Sequence, residues 1–256
     1  MKKSILSFKL VVFVILFLCS CSSSRKTAYF QDINKKSPAK EPISNYSPMK
    51  IETDDILGIS VTSLNPEASS VFNYNLNTVS GTNNSTGNPV IGYMVDAKGE
   101  IQLPLIGNMK VSGYTTSEIR DQIRKKLLNF LKEPVVNIRM VNFKVSVLGD
   151  VGRPGSFQIQ NERLTVTEAI SLAGDLNITA LRNNILLVRE RDGQREYIPI
   201  DLTSKKLFSS PYYYLRNNDV LYIQPGKNKY ASVDNTYRYV GLLLSALSIV
   251  AILVTR

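Results

Sequence analysis

Histidine and tryptophan are absent from this 256-residue chain, and its only cysteines are Cys19 and Cys21. Without histidine no side chain ordinarily titrates near neutrality, so Ser-His-Asp and Cys-His nucleophile systems are excluded. The commonest zinc ligand is missing as well, and two cysteines one residue apart cannot build a four-thiolate site or a disulfide framework. Acidic residues are few, 21 Asp+Glu against 31 Lys+Arg, a formal charge of +10. The glycines Gly149, Gly152 and Gly155 recur every three residues, which fits neither a dinucleotide fingerprint nor a phosphate-binding loop. Carboxylate pairs at Asp54/Asp55 and Glu190/Asp192 could serve a glycosidase, but such pairs also sit at ordinary turns and strand edges. The run Tyr212-Tyr213-Tyr214 could stack on sugars or form a strand edge or oligomer contact. No catalytic residue, metal ligand or cofactor site is picked out, and the chain reads as a non-enzyme.

The two ends point to a membrane. Residues 1–20 have signal-peptide anatomy, with Lys2, Lys3 and Lys9 flanking the apolar run Leu10–Leu18. Nine apolar residues are too few for a bilayer span. Leu18-Cys19-Ser20-Cys21 resembles the lipobox of bacterial lipoproteins, in which cleavage precedes a cysteine that is then acylated. Cys21 fits because Ser20 is small; Cys19 fits poorly because Leu18 would occupy the cleavage position. Removing the leader's three lysines takes the formal charge from +10 to +7. Residues 21–50 then read as a lipid-anchored tether, rich in Ser, Pro and Asn and carrying Arg25, Lys26, Lys35, Lys36 and Lys40. A solvated linker beside phospholipid accounts for that charge better than nucleic acid does.

At the other end, Tyr239–Thr255 is 17 residues without a charge, flanked by Arg238 and Arg256. A helix there would be about 25 Å long. That is short for an inner-membrane span but matches the roughly 25 Å apolar band of outer-membrane proteins. Residues 237–256 are therefore expected to form a transmembrane helix. Gly241, Ser245, Ser248 and Thr255 make a small, weakly polar stripe of the kind on which membrane helices approach one another.

The middle reads as two small α+β units, 51–140 and 141–226. In the first, Ile56–Val61 is strand-like, and the Asn/Ser/Thr-rich stretch 69–89 is a long polar loop. Tyr93–Val95 and Ile101–Leu103 flank Asp96-Ala97-Lys98-Gly99 and predict a hairpin, its second strand ended by Pro104 and Gly107. Thr115 and Glu118 form a capping box, Ile119, Ile123, Leu127 and Leu131 an i+4 stripe, and Pro134 the stop before the strand Val135–Arg139. The second unit has strands at Phe143–Leu148 and Phe157–Ile159. A second capping box follows at Thr165/Glu168, then a hairpin around Asp192-Gly193 and a closing strand at Val220–Ile223. Asp54-Asp55-Ile56-Leu57 is echoed by Asn218-Asp219-Val220-Leu221.

The order of these motifs resembles the polysaccharide biosynthesis/export family of Wza-type outer-membrane lipoproteins. Thr53-Asp54-Asp55-Ile56-Leu57, Pro104-Leu105-Ile106-Gly107, Val111–Ile119 and Leu131-Lys132-Glu133-Pro134 are similar to its export domain. Val147–Val151, Pro154–Phe157, Thr165–Ile170 and Ala173-Gly174 are similar to its soluble-ligand-binding β-grasp (SLBB) domain. Two positions depart from the family pattern: Asp54 stands where a glycine is usual, and Asp175 where a second glycine often follows Ala-Gly.

The resemblance implies a fold of two mixed α+β domains and no cofactor. It implies an outer-membrane lipoprotein anchored at Cys21, with its main domains in the periplasm, exporting capsular polysaccharide or exopolysaccharide through an oligomeric channel. The partners implied are the polymer, further copies of the chain in a homo-oligomeric ring, and an inner-membrane polysaccharide copolymerase, a tyrosine-kinase type among its forms. The alternative is a non-pore periplasmic sugar-binding or adaptor lipoprotein.

Overall fold

The computed structural model describes residues 27–34, 36–73, 92–191, 193–227, 229–230 and 236–255. The leader, Cys21, Asp192 and most of the polar loop lie outside the described residues.

The first unit is built on strand β1 (Ile56–Thr62), whose alternate residues Leu57, Ile59 and Val61 are buried. It is flanked antiparallel by β2 (Tyr93–Met94) and β5 (Val135–Met140) in the order β2-β1-β5. A separate hairpin joins β3 (Glu100–Leu103) to β4 (Gly107–Lys110). The short helix α1 (Pro66–Ser70) is capped by Asn65, whose side chain accepts from the amides of Glu67 and Ala68. Helix α2 (Thr116–Leu127) carries the Thr115/Glu118 capping box and buries Ile119, Ile123 and Leu127 in the unit's core.

The second unit is a five-stranded sheet in the order β10-β9-β12-β6-β7. Its strands are β6 (Lys144–Gly149), β7 (Gly155–Gln158), β9 (Ala180–Arg191), β10 (Gln194–Ile200) and β12 (Val220–Pro225). Only β6 and β12 run parallel. Helix α3 (Val166–Leu172), again with its capping box formed, packs Val166, Ala169 and Ile170 into a core with Val145, Val147, Leu187 and Leu221. A two-stranded ribbon pairs β8 (Leu164–Thr165) with β11 (Tyr214–Leu215). Gly149 ends β6 at φ +97°, and a Cβ there would lie 2.0 Å from the Ile223 carbonyl oxygen on β12. Only glycine fits that approach.

The α+β class is as expected, with four local departures. The turn Asp96–Gly99 forms, with Asp96 Oδ1 accepting from the amides of Lys98 and Glu100. Its two arms nevertheless do not pair as a ladder: β2 joins β1 and β3 joins β4. The strand β3 does end at Leu103, before Pro104 as expected, and Pro104 and Gly107 bracket the β3–β4 turn, where Leu105 and Gly107 take positive φ. Helix α2 stops at Leu127 rather than running on to Pro134, and Leu131 is buried through a following turn in which its amide donates to the Leu127 carbonyl (2.8 Å). Residues 66–70, at the edge of the polar stretch, are helical because Asn65 caps them and Pro66 pre-sets the first turn.

The fourth departure is the largest. The segment expected to be a solvated tether is pinned along the second unit. The amides of Phe30 and Gln31 donate to the carbonyls of Leu202 (3.0 Å) and Thr203 (2.6 Å). Asp32 accepts from Ser204 Oγ (2.7 Å) and the Lys205 amide (2.6 Å), contacts that hold its carboxyl below the usual carboxylate range. Glu41 pairs with Lys205, and Asn45 Nδ2 donates to the carbonyls of Phe208 (2.8 Å) and Ser210 (2.7 Å). A chain of ring contacts runs from Tyr29 through Phe30, Phe208, Tyr213 and Tyr214 to Tyr46, each pair 4.7–5.9 Å apart. Local polarity reads as a linker; it says nothing about partners some 170 residues away.

Helix α4 (Thr236–Thr255) follows the second unit. Tyr239, Leu242, Leu243, Leu244, Ile249 and Val250 on it are all exposed. Among the described residues, no helix is long and apolar enough to cross a membrane. The segment expected to span the membrane is thus helical with exposed apolar side chains, but its expected transmembrane character is not supported.

Candidate functional site at the joint between the two units

The echo between Asp54-Asp55 and Asn218-Asp219 is a shared turn geometry. Asp54 (φ +67°) and Asn218 (φ +64°) take the left-handed conformation, which Asn and Asp tolerate better than other residues with a side chain. The next residue in each case is buried and closes its own turn. Asp55 Oδ2 accepts from the Glu52 amide (2.8 Å), and Asp219 Oδ2 accepts from the Arg216 amide (2.7 Å).

The two turns then meet. Asn217 Nδ2 donates to Asp55 Oδ1 (2.8 Å) while Asn217 Oδ1 accepts from the Lys144 amide (3.1 Å). Asn142, between β5 and β6, accepts from the Ile56 amide (2.9 Å) and donates to the Asp54 carbonyl (2.9 Å). Arg216 lies 3.6 Å from Glu52, and Thr116 Oγ1 donates to Glu162 Oε1 at 3.1 Å. Burial pushes the Asp55 carboxyl above the usual range, the hydrogen bonds from Glu52 and Asn217 oppose this, and the charge of Asp54 adds to it.

Behind the second turn lies a buried ion pair. Arg189 Nε and Nη2 donate to the two oxygens of Asp219 at 2.9 and 2.6 Å, both side chains being at most 5% exposed. The Arg189 guanidinium also lies 5.7 Å from the centre of the Tyr212 ring. Its fork geometry satisfies both carboxylate oxygens, which a buried pair needs if desolvation is to be offset.

The joint walls a cleft of about 240 Å³. Residues 45–50 of the docked strap form one side, Glu52 and Asp55 the floor toward the first unit, and Glu162, Arg163, Arg191 and residues 214–217 the side of the second unit. Burial, and then the neighbouring guanidiniums of Arg189 and Arg191, lower the pKa of Arg216. Among the described residues no group of three or more His, Cys, Asp or Glu is placed to hold a metal ion.

The residues expected to matter fall in several places. Cys21 lies outside the described residues. Gly241, Ser245 and Ser248 lie on α4, where Ser245 Oγ donates to the Leu242 carbonyl (2.8 Å) and Ser248 Oγ to that of Ser245 (2.7 Å). Thr255 is the last residue of the helix. Asp55 is committed to backbone and to Asn217, and Glu190 pairs with Arg195 across the β9–β10 hairpin. Tyr213 and Tyr214 belong to the ring chain that grips the strap. The cleft itself was not foreseen, because its walls come from four separated stretches of chain.

Residues 44–141 match the family described as polysaccharide biosynthesis/export protein, and residues 143–223 match the SLBB domain. The chain belongs to the polysaccharide biosynthesis/export family. It is 30% identical over 190 residues, 72% of its length, to a protein named EPS I polysaccharide export outer membrane protein EpsA of Ralstonia solanacearum, of which the match covers 49%. It is 34% identical over 88 residues, 33% of its length, to exopolysaccharide production protein ExoF of Rhizobium meliloti, covering 21% of that protein. The chain thus spans about half the length of the EpsA relative.

Proposed function

We propose that this protein exports an extracellular polysaccharide across the outer membrane, as a ring of identical copies and without making or breaking a bond. The observation that supports the reading is that the stretch after Cys21 and the stretch before α4 both dock on the second unit. The strap is docked on the second unit at Tyr29, whose hydroxyl donates to Asp175 Oδ1 eight residues after Cys21. Eight residues reach at most about 29 Å, so a lipid on Cys21 would hold the second unit near the membrane surface. At the other end, Lys229 pairs with the buried carboxylate of Asp150 (2.6 Å), fixing the chain to the same unit shortly before α4.

In this reading α4 is one stave of the membrane wall. Its support is the 17-residue charge-free run and the exposed leucines and valines along it. One helix cannot enclose a pore, so a conduit needs several copies, packed through the stripe of Gly241, Ser245, Ser248 and Thr255. The two folded units would lie in the periplasm and receive polymer from an inner-membrane polysaccharide copolymerase. The names of the relatives, export and exopolysaccharide production, support the substrate class.

The test is complementation of polysaccharide secretion in a strain lacking the protein. The full chain restores secretion; a chain truncated after residue 235, or one with Cys21→Ser, does not. Full secretion by the truncated chain would overturn the conduit reading.

A further inference from the structure

The cleft at the joint has features that structural packing alone does not explain. Arg163 is exposed on its wall and, among the described residues, has no hydrogen-bond or ion-pair partner. Arg191, Arg216 and Lys50 join it, against the carboxylates of Glu52, Asp55 and Glu162. Those carboxylates are engaged: Glu52 by Arg216, Glu162 by Thr116, and Asp55 by Asn217 and a backbone amide. The lining thus carries four cationic side chains against three carboxylates, an excess of one positive charge.

The cleft also offers flat apolar surface. Tyr46 is half exposed, and its ring sits edge-on to Tyr214 at 5.4 Å. Beside Tyr46 in the strap, Asn45 Nδ2 donates to the Phe208 and Ser210 carbonyls and holds this wall in place. A guanidinium and an aromatic face correspond to two parts of an acidic sugar, its carboxylate and its apolar ring face. At about 240 Å³ the space is smaller than the roughly 300–1,000 Å³ used for drug-sized ligands. It suits one sugar residue of a longer chain.

We propose that this cleft binds a carboxylate-bearing sugar residue of the polymer. Arg163 takes the carboxylate, and Tyr46 and Tyr214 take the ring. The proposal deepens the export reading and rests on it only in supposing that a polysaccharide meets this protein. Because residues 45–50 belong to the strap, a bound sugar would also brace the strap against both units.

Titration calorimetry on the full-length protein in detergent, with trigalacturonic acid and its methyl ester, tests this. The ester keeps the rings and hydroxyls and removes the charge. The acid should bind saturably, and the ester at least tenfold more weakly. Arg163→Gln and Tyr46→Ala, both at exposed positions, should each weaken the acid at least tenfold with an unchanged circular dichroism spectrum. Equal binding of acid and ester, no binding of the acid, unchanged affinity in Arg163→Gln, or displacement by equimolar sulfate would each overturn the proposal. The secretion assay separates the two claims. Secretion by the wild-type chain without acid-sugar binding sinks the cleft and leaves export standing; binding without any role in secretion does the reverse.

Discussion

Asp54 and Asp175 occupy positions where the family pattern favours glycine, and both sit at φ +67°. The departure in sequence therefore leaves the backbone path intact and adds the steric cost of a Cβ in the left-handed region, about 1 kcal/mol. Asp175 gains something in return, since its Oδ1 accepts from Tyr29 Oη (2.5 Å) and from the Leu176 amide (2.7 Å). Burial, and then that hydrogen bond and charge, raise the pKa of the Tyr29 hydroxyl above its ordinary range. Asp54 places its charge beside buried Asp55. Asp54→Gly should accordingly raise the urea midpoint, by the equivalent of about 0.5–1 kcal/mol.

Two buried aspartates give opposite pH signatures. Asp55 has a folded pKa above 3.8, so its contribution to stability is present below that value and is lost as pH rises through the folded pKa. Burial acts to raise the Asp150 pKa as well, but hydrogen bonds from Lys229, Thr179 and Asn177 outweigh it and hold the value below 3.8. Its contribution is present above 3.8 and is lost as pH falls through the folded pKa. Urea midpoints between pH 3 and pH 7 should show Asp150→Asn flattening the loss on the acid side. Asp55→Asn should remove a gain on acidification instead.

At the scale of elements, the two capping boxes anchor the two helices that cover the cores. In each, threonine Oγ1 accepts from the amide three residues on, at 3.2 Å, while the glutamate accepts from the threonine amide at 2.7 Å. Thr115→Ala and Thr165→Ala should each lower stability by about 1 kcal/mol in chemical denaturation, as cap removals do. Both boxes, the i+4 stripe of α2 and the β9–β10 hairpin were legible, because each is a local pattern within about sixteen consecutive residues. The pairing of β2 with β1 was not. The turn residues 96–99 announce a reversal of the chain, but register depends on which apolar face finds the core, and Tyr93 is buried against β1 and Phe72. The strap escaped for a similar reason. Its contacts are made by backbone amides and by rings that, read singly along the chain, look like incidental aromatics in a polar linker. Of the cleft, only the Asp54/Asn218 echo was visible beforehand, as a likeness of sequence and not as the contact it makes through Asn217.

At the scale of the whole molecule, the joint, the strap and the Lys229–Asp150 pair define one arrangement. The second unit holds the strap and, through Lys229, the stretch before α4, and the first unit is joined to it through Asn142, Asn217 and Asp55. Exposed apolar residues on a helix are an unfavourable surface for a monomer in water. They have a purpose if α4 packs against lipid on one face and against further copies on the other. The central claim is therefore one of assembly, and the most direct measurement is a count of subunits. Full-length protein, extracted in mild detergent and imaged by electron microscopy, should be closed rings of fixed copy number with the α4 helices gathered at one end. Single copies under those conditions would contradict the account.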